Sequence, residues 1–181
     1  MNQKTKPAPN LLIPFIVIGF MVCASAFRAS ILNAQAINHK TTTQMITLTS
    51  YLLLDGTCKP AMEFYQSCFG GQLSMTTVGD SPMKDFFPAA LHNRVVNARL
   101  VSGNISISAS DWLRPQETPV QGNTVCLYLS GGTYRELKTL FEKLSKDAKV
   151  TDPLKEEAFG MYGALNDKFG IRWMFHAEKE N

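Results

Sequence analysis

Residues 161–176, MYGALNDKFGIRWMFH, decide the fold. Met161 to Asn166 and Ile171 to His176 are apolar, β-rich runs, and Asp167-Lys168-Phe169-Gly170 between them carries turn chemistry. The stretch therefore reads as two strands around a turn. Period-two alternation puts Arg172, Met174 and His176 on one face of the second strand. Working back along the chain, Lys149 to Leu154 is a short strand that Pro153 confines to a sheet edge, since proline cannot donate to a ladder. Thr133 to Asp147 is the clearest helix, with Tyr134, Leu137, Leu140, Phe141 and Leu144 on one stripe and Lys/Glu opposite. Thr133 is its expected N-cap, with Glu136 at the capping-box position. Asn123 to Leu129 reads as a strand that ends at Gly131-Gly132. The order is β-α-β-β-β.

The preceding segment repeats that order. Ile46 to Leu54 is a strand closed by Asp55-Gly56. A helix follows over Lys59 to Phe69, where Ala61, Phe64, Tyr65 and Phe69 recur at helical spacing, and Gly70-Gly71 stops it. Gln72 to Val78 is the next strand. Gly79 to Asn93 reads as a long loop. Arg94 to Val101 and Ile105 to Ser110 are strands joined by Ser102-Gly103-Asn104. The two halves, residues 46–110 and 123–177, share pattern rather than sequence. The expected class is α+β.

Composition narrows the function. Hydrophobic residues make up 45% and charged residues 18%, which suits a globular domain. The net charge of +3 comes from Lys4, Lys6 and Arg28; beyond them basic and acidic residues are equal in number. A neutral domain without a basic stripe lacks the phosphate-neutralising charge that drives nucleic-acid binding, so no nucleic-acid partner is expected. Lys4 and Lys6 precede an apolar run from Leu11 to Phe27, and Ala24-Ser25-Ala26 and Ala34-Gln35-Ala36 have the form of a signal-peptidase site. The run is near the ~17-residue lower limit for spanning a bilayer. Residues 1–36 are therefore expected to be a signal peptide or a membrane anchor, residues 37–45 a linker and residues 46–178 the domain. The domain is then exported or anchored, with membrane contact only through that segment. The alternative is a cytoplasmic protein whose translation starts at Met45. Cys58 and Cys68 bracket a helix and would lie about 15 Å apart at ~1.5 Å per residue. That exceeds the roughly 7 Å a disulfide tolerates, and no C-x-x-C is present. Cys58, Cys68 and Cys126 read as small buried hydrophobes.

The chain resembles the vicinal-oxygen-chelate superfamily, and within it the PhnB-like group of glyoxalase/bleomycin-resistance-type domains. The residues that carry the likeness are Tyr51 to Gly56, Ala61 to Tyr65, Phe69-Gly70-Gly71, Val78-Gly79-Asp80, Gly122-Asn123, Tyr162-Gly163 and Asp167 to Met174. The resemblance covers the whole stretch after Met45. It implies two βαβββ modules forming a half-open barrel, and commonly a homodimer. Such domains often carry a methyltransferase-like label, yet no Gly-rich nucleotide loop follows a strand here.

Active members of the superfamily hold a divalent metal with His, Glu or Gln on strands facing the cup, where it acts as a Lewis acid. Carried over by position, the first-strand ligand falls at or near Ser50 and a fourth-strand ligand near Ser106 or Ser108. The fifth-strand histidine falls within Asn123 to Val125, and the last-strand glutamate at Met174. A third-strand histidine of PhnB-like relatives corresponds to Asn97. None of these residues is an imidazole or a carboxylate, and methionine is a soft donor unsuited to Mg, Mn or Ni. The expectation is no metal and no cofactor. The candidate pocket residues are Ser50, Asn97, Arg99, Ser108, Asn123, Tyr128, Arg172, Met174 and His176. Arg99 and Arg172, if both face the cup, would suit a carboxylate or phosphonate; the competing reading leaves either arginine at the surface. Trp112, Tyr128, Met161 and Phe86-Phe87 are candidates for an apolar wall. The expected function is metal-independent binding of a small organic ligand. Two alternatives stand: an enzyme with a non-standard site, for instance His176 as general base, and an interaction domain whose pocket its own side chains fill.

Overall fold

The computed structural model describes residues 48–114 and 116–179. The signal peptide or anchor, the linker, and Ile46 and Thr47 of the first expected strand lie outside the described residues. The first half comprises β1 (Ser50–Leu54), α1 (Cys58–Phe69), β2 (Gln72–Thr77), β3 (Val95–Ser102) and β4 (Ile105–Asp111). The second comprises β5 (Leu127–Ser130), α2 (Tyr134–Leu144), β6 (Lys149–Glu157), β7 (Gly160–Asn166) and β8 (Arg172–Ala177). The sheets have matching orders, β1-β4-β3-β2 and β5-β8-β7-β6, each with one parallel pair beside two antiparallel ones. This is the α+β arrangement of two βαβββ modules in a half-open barrel that the sequence leads one to expect.

Several boundaries differ from the sequence reading: Leu48 and Thr49 of the first expected strand are outside the ladder, so β1 begins at Ser50, and α2 ends at Leu144 rather than Asp147. Asn123 to Cys126 are outside the ladder, so β5 is short and begins at Leu127. β6 continues through Pro153 to Glu157, with one register shift ahead of the proline and one across it. It lies at a sheet edge, as Pro153 requires. The loop after β2 contains two 3-10 turns, Lys84–Phe86 and Ala89–Leu91.

Local chemistry explains both helices. At the start of α1 the Thr57 side chain makes no cap. Instead the buried Asp111 carboxylate at the end of β4 accepts the Cys58 N–H at 3.0 Å and the Val95 N–H at 2.7 Å. One side chain thus ties the starts of α1 and β3 to β4. α2 begins with a complete capping box, in which Thr133 Oγ1 accepts the Glu136 N–H and the Glu136 carboxylate accepts the Thr133 N–H.

The helix-covered faces of both sheets share one core. Leu52 and Leu54, Ala98 and Leu100, Ile107 and Ala109 contribute from the first sheet, and Trp173 and Phe175 from the second. Tyr65 of α1 meets Trp173 edge-on at 5.6 Å, and Phe141 of α2 meets Phe175 at 5.0 Å. Burying a side chain of this size stabilises by roughly 1.5–3 kcal/mol. At the centre Asp167, 4% exposed, accepts from the Tyr65 hydroxyl and the Trp173 indole, each at 2.8 Å. Its other oxygen accepts the Phe169 and Ile171 N–H groups and so shapes the turn between β7 and β8. With the helices on one side, the opposite faces of the two sheets are left as the walls of the cup.

Candidate functional site

Alternation sets what each wall presents. On β8, Trp173, Phe175 and Ala177 are buried in the core, so Arg172, Met174 and His176 stand on the open face. Register places Tyr128 beside Met174 and Tyr162 beside His176. Phe159, in the turn between β6 and β7, leans over both His176 (5.8 Å) and Tyr162 (6.1 Å). Together with Cys126 these residues line an open pocket of about 500 Å³. Its polar features are few. The Cys126 thiol lies 3.1 Å from the Met174 sulfur, and His176 Nε2 is 3.4 Å from the Phe159 carbonyl.

The first sheet presents a different wall. Tyr51, Ser108, Arg99 and Ser74 form one cross-strand row, with Leu53 beside Ser110 and Asn97 beside Thr76 in the next. Between the walls, the edges of β1 and β5 flank a crevice of about 300 Å³ lined in part by Tyr51, Leu53, Val125, Cys126 and Arg172. Among the described residues no ladder joins the two sheets across it. Among the described residues neither Arg99 nor Arg172 makes an ion pair.

The expected pocket residues therefore divide. Tyr128, Met174 and His176 converge in one pocket, and Arg172 borders it on the same strand face. Asn97, Arg99 and Ser108 lie on the facing wall. Two expectations need correction. Ser50 pairs with Ile107 and shares the parity of buried Leu52 and Leu54, so it sits on the helix-covered side, where its hydroxyl donates to the Ser106 carbonyl. Asn123 lies in the bend ahead of β5, exposed and outside the pocket lining. Of the suggested apolar wall, Tyr128 alone lines this pocket. Trp112 donates its indole N–H to the Arg114 and Glu117 carbonyls, Met161 packs against the core, and Phe86 is solvent-exposed.

No family model matches the chain. Protein YjdN of Escherichia coli (strain K12) is 24% identical over 143 residues, covering 74% of this chain and 96% of YjdN. Protein PA1353 from Pseudomonas aeruginosa superposes with a TM-score of 0.67 at 29% identity, covering 75% of this chain and all of PA1353. A PhnB protein from Bacillus cereus, described as a putative 3-demethylubiquinone-9 3-methyltransferase, gives a TM-score of 0.57 at 25% identity over 73% of this chain and 99% of its own. The chain is a PhnB-like domain with the vicinal-oxygen-chelate fold.

The donors in the cup of this PhnB-like chain decide whether it suits a metal. A hard divalent ion needs carboxylates or imidazoles converging on one point. The open faces offer a thiol, a thioether, hydroxyls, amides, one imidazole and, at the β6 edge, the Asp152 carboxylate, but no group of three His, Cys, Asp or Glu side chains among the described residues could hold a metal ion. The residues present do not fit the superfamily's metal. Cys126, Phe159 and Tyr162 are pocket residues that the sequence reading passed over. Tyr162 was recoverable, since pairing the strands around the Asp167 turn brings it opposite His176. Phe159 sits in a tight turn, and no periodicity points to it.

Proposed function

We propose that this PhnB-like domain binds a small organic molecule directly, without a metal. The observation that carries this reading is the pocket of Cys126, Tyr128, Phe159, Tyr162, Met174 and His176, about 500 Å³ in volume and walled mainly by aromatic rings. That size and lining suit an organic ligand held by apolar contact and stacking. The volume also favours ligand uptake over a pocket filled by its own side chains. Calorimetric titration with Mn(II), Ni(II) and Zn(II) tests the metal-free part; stoichiometric binding of any of them would overturn it. Native mass spectrometry of freshly purified protein tests the rest, with a co-purifying organic mass as the expected result.

Two further parts of the reading follow from the sequence. Lys4, Lys6 and the Leu11 to Phe27 run support delivery by an N-terminal signal or anchor. Among the described residues no helix is long and apolar enough to cross a membrane. A mature N-terminus at Phe27 or Ile37 supports cleavage, and one at Met45 overturns export. The family resemblance supports a homodimer, which light scattering of the purified protein tests directly.

A further inference from the structure

The two halves repeat one another, and they differ at one place outside the cup. α1 and α2 each begin one residue after a threonine, Thr57 and Thr133. Ala61, Phe64 and Tyr65 therefore hold the same places on α1 as Leu137, Leu140 and Phe141 hold on α2. Each helix is approached by the last hairpin of the other half. The β7–β8 turn reaches α1, where Asp167 meets Tyr65 and the Phe169 ring lies 5.8 Å from Phe64 and 6.1 Å from Tyr65. The β3–β4 turn stands beside α2 in the same way, with Ser102, Asn104 and Ile105 lining one cavity together with Leu137 and Leu140.

The turns differ in length. β3 and β4 stay paired up to Ser102 and Ile105, which leaves only Gly103 and Asn104 between them. The β7–β8 ladder ends at Asn166 and Arg172, the Asp167 N–H donates to the Ile171 carbonyl, and Lys168, Phe169 and Gly170 remain. The longer turn lays a phenyl ring on α1. The shorter one carries no apolar side chain, and a cavity of about 670 Å³ stands between it and α2. Its apolar lining is aliphatic: Ile105, Leu129, Leu137 and Leu140 all belong to the core or pack against it. Its rim offers the Asn104 amide and the Thr139 hydroxyl, with two charges of opposite sign, Arg135 and Glu136. The Glu136 carboxylate is already held by the Thr133 N–H and hydroxyl. The rim therefore favours neither sign of charge.

We propose that this cavity is a second small-molecule site, separate from the cup, that takes a phenyl group on a short uncharged hydrogen-bonding arm. The ring sits against Leu137 and Leu140 as Phe169 sits against Phe64 and Tyr65, and the arm meets the polar rim. One side chain fills the counterpart seat, so the guest is a small molecule rather than a protein surface. The volume lies within the roughly 300–1,000 Å³ of small-molecule pockets, and an apolar lining with a few polar groups is their usual chemistry.

N-acetyl-phenylalaninamide has the covalent form that Phe169 has in the chain, and N-acetyl-alaninamide is the same molecule without the ring. Titration of the full chain with each, followed by amide NMR, tests the site. The phenyl probe is expected to bind at least tenfold more tightly than its control, since burying a phenyl group accounts for that ratio. The shifted amides should lie in residues 102–105 and 130–140. Thr139→Trp sets a bulky ring on the exposed rim and should weaken the probe at least tenfold. It should melt like the parent, because the Thr139 hydroxyl bonds only within its own helix. Replacing Gly103-Asn104 by a Lys-Phe-Gly turn should fill the cavity from within, abolish probe binding and raise the melting temperature. Equal affinity for the two probes, or unchanged binding by Thr139→Trp, overturns the site. Shifts centred on Tyr128, Phe159 and His176 instead place the probe in the cup and also overturn it. Absence of probe binding, together with a dimer that Thr139→Trp dissociates in light scattering, gives the cavity to a second copy of the chain and overturns the small-molecule assignment.

Discussion

The hydroxyl of Tyr65 donates to the carboxylate of Asp167 at 2.8 Å, joining a helix of the first half to the last hairpin of the second across 102 positions of sequence. The same oxygen accepts the Trp173 indole N–H, so three buried residues from three elements share one charge. Removing the carboxylate strands two buried donors, each at a cost of roughly 1–3 kcal/mol. Asp167→Ala is therefore expected to lower the unfolding free energy by about 3–5 kcal/mol, and Tyr65→Phe by about 1–2. Urea unfolding of the two variants checks the order. An Asp167→Ala variant no weaker than Tyr65→Phe would show that the carboxylate does not act as the hub.

Alkaline pH should expose the same region. Burial pushes the Cys58 thiol up to about 12 from an ordinary 9.0, with the neighbouring Asp111 carboxylate adding to it. Burial likewise raises the Tyr65 phenol, with Asp167 as the second cause. A proton held more tightly in the folded state gives stability that is complete below the unfolded value and is lost as pH rises toward the folded one. The urea midpoint is expected to hold up to about pH 9 and to fall from there to about pH 12. Cys58→Ala should make that fall shallower. An equally steep fall in the variant would remove Cys58 from the account.

Thiol accessibility gives a separate check. Cys58 and Cys68 are buried and free, whereas Cys126 is half-buried at the cup. A thiol reagent at neutral pH should label Cys126 in the native protein and leave Cys58 and Cys68 unmodified until denaturant is added.

Gly56 closes β1 with a φ of +73°, and the Arg94 guanidinium occupies the place where a Cβ would project. Arg94 in turn faces Asp55 at 3.5 Å. Gly56→Ala combines backbone strain with a displaced arginine and is expected to destabilise by about 1–3 kcal/mol. Adding Arg94→Ala should recover the part due to the contact and leave the part due to φ. A double variant as unstable as the sum of the two single ones would assign the whole effect to the backbone.

Where sequence and structure agree, the signal was periodic. The stripe Leu137, Leu140, Phe141, Leu144 and the Thr133/Glu136 box place α2 to within a residue at its start. The alternation of Arg172, Met174 and His176 with Trp173 and Phe175 gives both faces of β8 correctly. Where they part, something non-local decides. Analogy of position puts Ser50 in the cup, but its parity follows Leu52 and Leu54 into the helix-covered face. Asn123 looked strand-like in a β-rich run, yet β8 supplies a parallel partner only from Leu127 onward. Phe159 entered the site because Gly160, with a φ of +123°, turns the chain sharply enough to fold that ring over His176. No local pattern encodes that reach.

The unpaired edges of β1 and β5 have a consequence for how the cup can change. Its two walls are fastened on the helix side, by the shared core and by Asp167, and among the described residues no backbone ladder bonds join them along the crevice at its base. The width of the cavity is thus set by side chains alone. Substituting Tyr51, Leu53, Val125 or Cys126 can narrow or widen it without breaking a strand pairing. Such a seam is an adjustable joint in an otherwise rigid frame, through which one scaffold can be refitted to guests of different girth at little expense to its stability.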